Sequence, residues 1–216
     1  MPSQVYYRKW RPRNFKQLIG QEHVARTIRQ AISQDKVAHA YLLSGPRGTG
    51  KTTTARILSK AINCSQVQDG EPCNECAHCS AANEGRFMDL IELDAASNRG
   101  IDDIRSIREK VNLAPSEGKY KSYIIDEAHM LTSDASNAFL KTLEEPPPHT
   151  IFILCTTDPQ KLLPTILSRC QRFAFKRLSL DEIVRRLTMI CEEEGLTVEE
   201  AALRTLARVA SGSLRD

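Results

Sequence analysis

The sequence predicts an α/β protein: a parallel five-stranded sheet between helices, followed by a small all-helical unit. Three observations carry this. Short apolar runs bounded by turn residues alternate with helical patterns, as expected of strands covered on both faces. The glycine-rich stretch "SGPRGTGKTT", Ser44 to Thr53, joins one such run to one such helix. After Leu178 only helical patterns remain, which places a boundary between an α/β domain, residues 1–178, and a helical one, residues 179–216.

The elements follow in order. Gln21 to Gln34 carries Val24, Ile28, Ala31 and Ile32 on one face of a helix, and "AYLLS" is then a short apolar strand. Lys51 to Asn63 is helical, as is Ile101 to Leu113, where Ile101, Ile104, Ile107 and Val111 recur at helical spacing. The remaining strands are "MDLIEL", "YKSYIID", "IFILCTT" and "RFAFKRL". Pro146, Pro147 and Pro148 read as the hard stop of a helix. Two helices, Leu180 to Glu194 and Val198 to Ala210, complete the chain.

With 216 residues, 41% of them hydrophobic and 26% charged, the chain can bury a substantial core. No apolar run approaches the ~20 residues of a membrane helix, and "MPSQVYYRKWRPRNF" lacks the apolar region of a signal peptide. A cytoplasmic protein with no membrane partner is expected. The net charge is only +3, so any nucleic-acid contact must be local, although Arg8, Lys9, Arg11 and Arg13 cluster near the N-terminus.

Of seven cysteines, Cys64, Cys73, Cys76 and Cys79 fall close together. In a reducing compartment such a group reads as a metal site, with free thiols or disulfides as the alternatives. Four soft ligands suit tetrahedral Zn²⁺, His78 is a substitute ligand, and a set with no open position is structural. Cys155 belongs to a strand; Cys170 and Cys191 carry no assigned chemistry.

Gly45-Pro46-Arg47-Gly48-Thr49-Gly50-Lys51-Thr52 matches G-x-x-x-x-G-K-[ST], and Thr53 continues it. Backbone N–H groups of such a loop converge on phosphates, Lys51 reaches the β and γ oxygens, and Thr52 offers its hydroxyl to Mg²⁺. The strand of "SYIIDEAH" ends in Asp126 and Glu127. There one carboxylate can hold Mg²⁺ through water and its neighbour can orient an attacking water. The bland alternatives are a chance glycine turn and a solvated acidic turn. Both motifs together favour hydrolysis of a bound nucleotide over binding alone.

"RKWRP", "GQEHV", "GPRGTGKT", "IIDEAHML", "FLKTLEEPP", "TTDPQKL", "LSRC" and "GSLRD" together resemble the gamma/tau subunit family of bacterial DNA polymerase III, the AAA+ motors of the sliding-clamp loader. The resemblance runs from Tyr6 to Asp216. "SRC", "RKWRP" and the cysteine insertion, which matches a zinc module of the family, are its most selective features. It implies a sensor 1 role for Thr157, with Thr156 beside it able to face the site instead. It aligns Arg169 with the arginine finger that reaches a neighbouring subunit's ATP, and Arg215 with sensor 2. Without the resemblance either arginine reads as a surface cation. Tyr7, Arg11, Pro12 and Ile19 fall in the adenine-side segments or else are packing residues. Arg99 and Arg105 fall where the family tracks DNA, or lie on a solvated helix face.

The resemblance further implies partners: delta, delta-prime and further gamma/tau copies, the sliding clamp, primed DNA and, in the longer form, polymerase core and replicative helicase. It implies a bacterial cytoplasmic protein, associated with the nucleoid at replication forks. The family is grouped with DNA-directed DNA polymerase as a holoenzyme subunit, without a polymerase site of its own here. Family members continue into a helical collar, so the chain is expected to be a fragment that binds ATP and turns over slowly. Two other readings share some motifs: a AAA+ motor for branch migration or unwinding, which predicts neither "SRC" nor the cysteine insertion, and a nucleotide-locked scaffold, against which the full set of Lys51, Asp126, Glu127, Arg169 and Arg215 speaks.

Overall fold

A computed structural model of the chain describes residues 5–98 and 100–215. A short helix, α1 (Tyr6–Lys9), precedes α2 (Glu22–Ser33), β1 (Ala40–Ser44), α3 (Lys51–Ile62) and α4 (Ala77–Asn83). Next come β2 (Leu90–Asp94), α5 (Ile101–Val111), β3 (Lys121–Asp126), α6 (Ser133–Glu144) and β4 (Thr150–Thr156). The chain then runs through α7 (Pro164–Leu167), β5 (Gln171–Ala174), α8 (Leu180–Glu193) and α9 (Glu200–Val209). The five strands form one parallel sheet in the order β2-β3-β4-β1-β5.

Side chains alternate across the pleat, so consecutive strand residues feed different layers. Leu43, Ile124 and Ile153 pack with Val24 and Ile28 of α2 and with Ile57 and Leu58 of α3. Leu42, Ile125 and Leu154 pack with Ile104 and Ile107 of α5 and with Phe139 and Leu143 of α6. Burial on both faces explains why these strands read as unbroken apolar runs. A separate cluster, Leu178, Ile183, Val184, Leu203 and Ala207, holds α8 and α9 together. Ser179 starts α8 with a capping box, its Oγ accepting from Glu182 N–H while the Glu182 carboxylate accepts from Ser179 N–H.

Two boundaries differ from the sequence reading. "MDLIEL" begins pairing only at Leu90. Asp89 is fully buried and its carboxylate accepts from the N–H groups of Ser116, Glu117 and Gly118 at 2.7–2.8 Å, while Met88 points to solvent. "RFAFKRL" pairs only to Ala174 because the chain then turns to other partners: Lys176 N–H donates to the Gln21 side chain and Leu178 N–H to Gly212 O. The proline run does end a helix, α6, which starts at Thr132, whose hydroxyl accepts from Ala135 N–H.

Candidate nucleotide site and cysteine cluster

β1 lies between β4 and β5, and β4 separates it from β3. The register pairs Ser44 with Thr156 and Ile125 with Leu154, so the carboxyl ends of β1, β3 and β4 meet along one edge. That edge is where open parallel sheets bind ligands.

The phosphate loop leaves β1 at Gly45, whose N–H donates to Thr156 O at 3.1 Å. Gly45 has φ +145°, and a Cβ there would stand 2.4 Å from Phe175 O. Gly48 has φ +74°, and its Cβ would stand 1.8 Å from Ser213 Oγ. Thr49 Oγ1 donates to Pro46 O at 2.8 Å, and Gly50 leads into α3. Lys51 is buried, with Nζ donating to Gly45 O and Pro46 O at 2.8 Å. Burial pushes its pKa down, partly offset by the charges of Glu127 and Asp126.

Thr52 Oγ1 donates to Asp126 Oδ2 at 2.8 Å, joining the start of α3 to the end of β3. A hydroxyl and a carboxylate so placed are the donor set expected for Mg²⁺ beside a triphosphate. Glu127 follows in the left-handed region at φ 48°, ψ 44°, a conformation costing a non-glycine residue about 1–3 kcal/mol and concentrated at functional sites. The turn carries its carboxylate to Thr157, whose hydroxyl donates to Oε2 at 3.2 Å. Thr156 is fully buried; its hydroxyl lies 2.9 Å from His129 Nδ1 and accepts from Asp158 N–H. Of the two threonines, Thr157 is therefore the one on Glu127.

A cavity of about 770 Å³ opens beside these groups, lined by Thr52, Thr53 and Asp126 on one side and by Tyr7, Arg11 and Pro12 on the other. Arg215 also lines it, with its guanidinium carbon 5.7 Å from the centroid of the Tyr7 ring. Ile19 does not; it packs against the cluster of Leu178 and Ile183. Of the loop only Thr52 and Thr53 line the cavity; Gly45 to Lys51 do not, and neither do Glu127 and Thr157. Arg169 lies after α7, away from the cavity lining, with Nη2 donating to Glu144 Oε1 at 2.6 Å and Nη1 to Thr165 O. Arg105 is exposed on α5 and pairs with Asp102, while Arg99 lies outside the described residues.

His129 is the residue of this site that the sequence reading passed over. It is nearly buried, 2.9 Å from Thr156 Oγ1 and 3.5 Å from Glu127 Oε2. Its place two residues after the acidic pair was the available signal.

The four cysteines converge. Their sulfurs all lie within 4.8 Å of one another, with Cys73–Cys79 at 3.9 Å and Cys64–Cys76 at 4.0 Å. Tetrahedral Zn–S bonds of about 2.3 Å would set the sulfurs about 3.8 Å apart, so the set fits Zn²⁺ in type, number and spacing. A tight hairpin, Gln68 paired with Glu71, returns the chain from Cys64 to Cys73, and α4 supplies Cys79. Backbone N–H groups of Gln66 and Cys73 donate to Cys64 Sγ, and those of Glu75 and Cys76 to Cys73 Sγ, at 3.3–3.4 Å. At Cys64 burial outweighs these bonds and raises the thiol. Burial raises the Cys76 thiol, but hydrogen bonds from Cys79 and Ser65 outweigh it and bring it down to about 6; burial pushes Cys79 up. His78 is not a ligand: Nδ1 is 2.7 Å from Asn63 O and its ring lies against Phe87.

Comparison with known proteins gives this geometry a family. The model described as "DNA polymerase III, delta subunit" matches residues 20–179, and that of the "DNA polymerase III clamp loader subunit, ATPase lid domain" matches 182–216. This chain belongs to the DNA polymerase III clamp-loader ATPase family. Among clamp-loader relatives, the chain is 55% identical to DNA polymerase III subunit tau of Bacillus subtilis and 50% identical to that of Escherichia coli. Each match spans all of this chain, but only 38% and 34% of the respective relative. In fold it is similar to the Thermotoga maritima RuvB Holliday junction branch migration motor, with TM-score 0.67 and 20% identity over 95% of this chain and 62% of that one. It is also similar to a DNA polymerase III gamma subunit-related protein of that organism, with TM-score 0.52 and 25% identity over 86% and 57%. The RuvB likeness shows the AAA+ fold alone. The clamp-loader assignment rests on sequence.

Proposed function

We propose that this chain is the ATP-binding and ATP-hydrolysing portion of a gamma/tau clamp-loader subunit, which loads a sliding clamp onto primed DNA. The observation that carries the reading is the pairing of Thr52 with Asp126 beside Glu127 and Thr157, on a chain 55% identical to a tau subunit. Residues 1–178 would form the ATPase domain and 179–216 the lid, consistent with the separate cluster of α8 and α9.

The residues divide the chemistry among them. Backbone N–H groups from Gly45 to Thr53 would wrap the phosphates, and Lys51 would turn from the loop carbonyls to the β and γ oxygens. Thr52 and Asp126 would hold Mg²⁺, which when bound neutralises charge on the β and γ oxygens. Glu127 orients the attacking water, steadied by Thr157 as sensor 1. Tyr7, Arg11 and Pro12 enclose the base, and Arg215 of the lid reaches phosphate as sensor 2. Arg169, half-buried and held by Glu144, is suited to act on a neighbouring subunit's ATP; a finger supplied in trans is worth roughly 10³–10⁵ in rate. Cys64, Cys73, Cys76 and Cys79 would hold a structural Zn²⁺.

The partners follow from this reading: delta, delta-prime and further gamma/tau copies, the clamp, primed DNA through Arg105 and neighbouring cations, and in longer forms polymerase core and helicase. Among the described residues no helix is long and apolar enough to cross a membrane, in keeping with a place in the bacterial cytoplasm. The test is steady-state ATPase of the full-length protein assembled with its partner subunits. Clamp plus a primer-template junction should raise turnover, and Arg169→Ala should remove the increase. Equal stimulation by four-way junctions or plain duplex, with no effect of clamp, would refute clamp loading.

A further inference from the structure

The N-terminal strap, α1 and the residues to Arg13, lines the cavity together with Thr52, Thr53 and Asp126, yet α1 buries none of its residues. Apolar packing cannot hold it there. Polar contacts do: Lys60 Nζ of α3 donates to Arg13 O at 2.6 Å, and α8 holds the residues around Trp10. The Trp10 indole N–H donates to Glu194 Oε1 at 2.7 Å, and Lys9 Nζ lies 2.5 Å from the same oxygen. About two turns earlier along α8, Arg186 Nη2 donates to Trp10 O at 2.8 Å.

Arg186 is the telling member. It is only 7% exposed, and among the described residues no carboxylate pairs with it; its other close neighbour is Met189 Sδ, 3.7 Å away. A buried guanidinium without a counter-charge is an unfavourable way to hold two segments together, because desolvation is not offset by an ion pair. Its one strong acceptor is the strap's backbone. The residues on either side of that carbonyl, Tyr7 to Lys9 and Arg11 to Arg13, line the cavity.

We infer that Arg186 and Glu194 are positioning residues for the base of the bound nucleotide: through Trp10 they set the strap that encloses it, and so select a triphosphate carrying a base over a bare one. The inference rests on the nucleotide reading of the cavity. Neither side chain lines the cavity itself, so their effect passes through the strap.

The test measures equilibrium binding of ATP and of inorganic tripolyphosphate to the full-length protein and its variants. Arg186→Gln should weaken ATP binding about tenfold, the loss of one charge-assisted hydrogen bond, and leave tripolyphosphate within about twofold. Arg186→Lys, which keeps a donor, should recover part of the loss. Trp10→Phe and Glu194→Gln, both milder changes near the surface, should show the same selectivity where Arg186→Gln fails to fold. Equal losses for both ligands, or no loss for ATP, would overturn the inference while leaving the nucleotide site standing. A wild-type protein that binds neither ligand would instead refute the nucleotide reading beneath it.

Discussion

Gly48 occupies a position that the phosphate-loop pattern leaves free, yet the fold admits little but glycine there. Gly48→Ala would place a methyl group 1.8 Å from Ser213 Oγ and 2.7 Å from Ser213 Cβ, in a backbone held at φ +74°. The left-handed conformation alone costs about 1–2 kcal/mol. Forcing the Ser213 segment away, as an overpacked contact, costs about 1–3 kcal/mol more. Alanine's smaller unfolded-state entropy returns about 0.4–1 kcal/mol. The net expectation is a loss of about 2–4 kcal/mol, which for a chain of this size corresponds to roughly 4–16 °C in Tm. Thermal unfolding of Gly48→Ala, Ser213→Gly and the double variant forms a cycle. Ser213→Gly leaves only a Cα at 3.3 Å, so the double variant should recover the packing part of the loss and keep the left-handed part. Absence of coupling between the two positions would refute a steric contact between the loop and the segment after α9.

Glu127→Gln should abolish ATP hydrolysis while ATP binding, read by equilibrium titration, stays within a few-fold; unchanged turnover would remove its role. The purified protein should carry one zinc per chain by elemental analysis, and Cys76→Ser should lower both zinc content and thermal stability; a wild-type protein free of zinc would make the cluster a set of thiols. Asp89→Asn should cost about 2–4 kcal/mol by denaturant unfolding, since an amide can replace only one of the two oxygens that together accept three N–H bonds. Burial raises the Asp89 carboxyl, but those three bonds outweigh it and hold it below the ordinary value. Its stabilisation is therefore present above about pH 4 and lost as pH falls through the folded-state value. The acid limb of the wild-type stability curve should be steeper than that of the variant.

Much of the site was legible because its parts are local. Lys51 and Thr52 follow their glycine within one motif, Asp126 and Glu127 end one strand, and the cysteine spacings confine four sulfurs to one loop and one turn of helix. The inner strands β1, β3 and β4 were legible because each is buried on both faces. What escaped the sequence depends on contacts distant along the chain. Nothing in the spacing of Asp89 announces the N–H groups of Ser116 to Gly118, so the strand start was misplaced. Ile19, in a segment that reads as adenine-side, packs instead on the helical cluster beyond Leu178. His129 was visible as a residue but not as the neighbour of both Thr156 and Glu127, which requires β3 and β4 to be known as adjacent strands.

The same distant contacts give the helical unit its hold on the site. Leu214 N–H donates to Gly48 O at 3.1 Å, Arg215 lies over the Tyr7 ring, and Arg186 holds the Trp10 carbonyl. The first contact touches the phosphate loop at one end, at Gly48, which does not itself line the cavity, and the other two touch the strap at the other end. A tilt of α8 and α9 against the sheet would therefore disturb both ends together. A ligand that spans the cavity favours the arrangement in which both ends meet it, by no more than its difference in affinity for the two. Each tenfold preference corresponds to about 1.4 kcal/mol of bias on the lid. On the proposed nucleotide reading, a bare triphosphate would engage only one of these ends and so exert less of that bias than ATP.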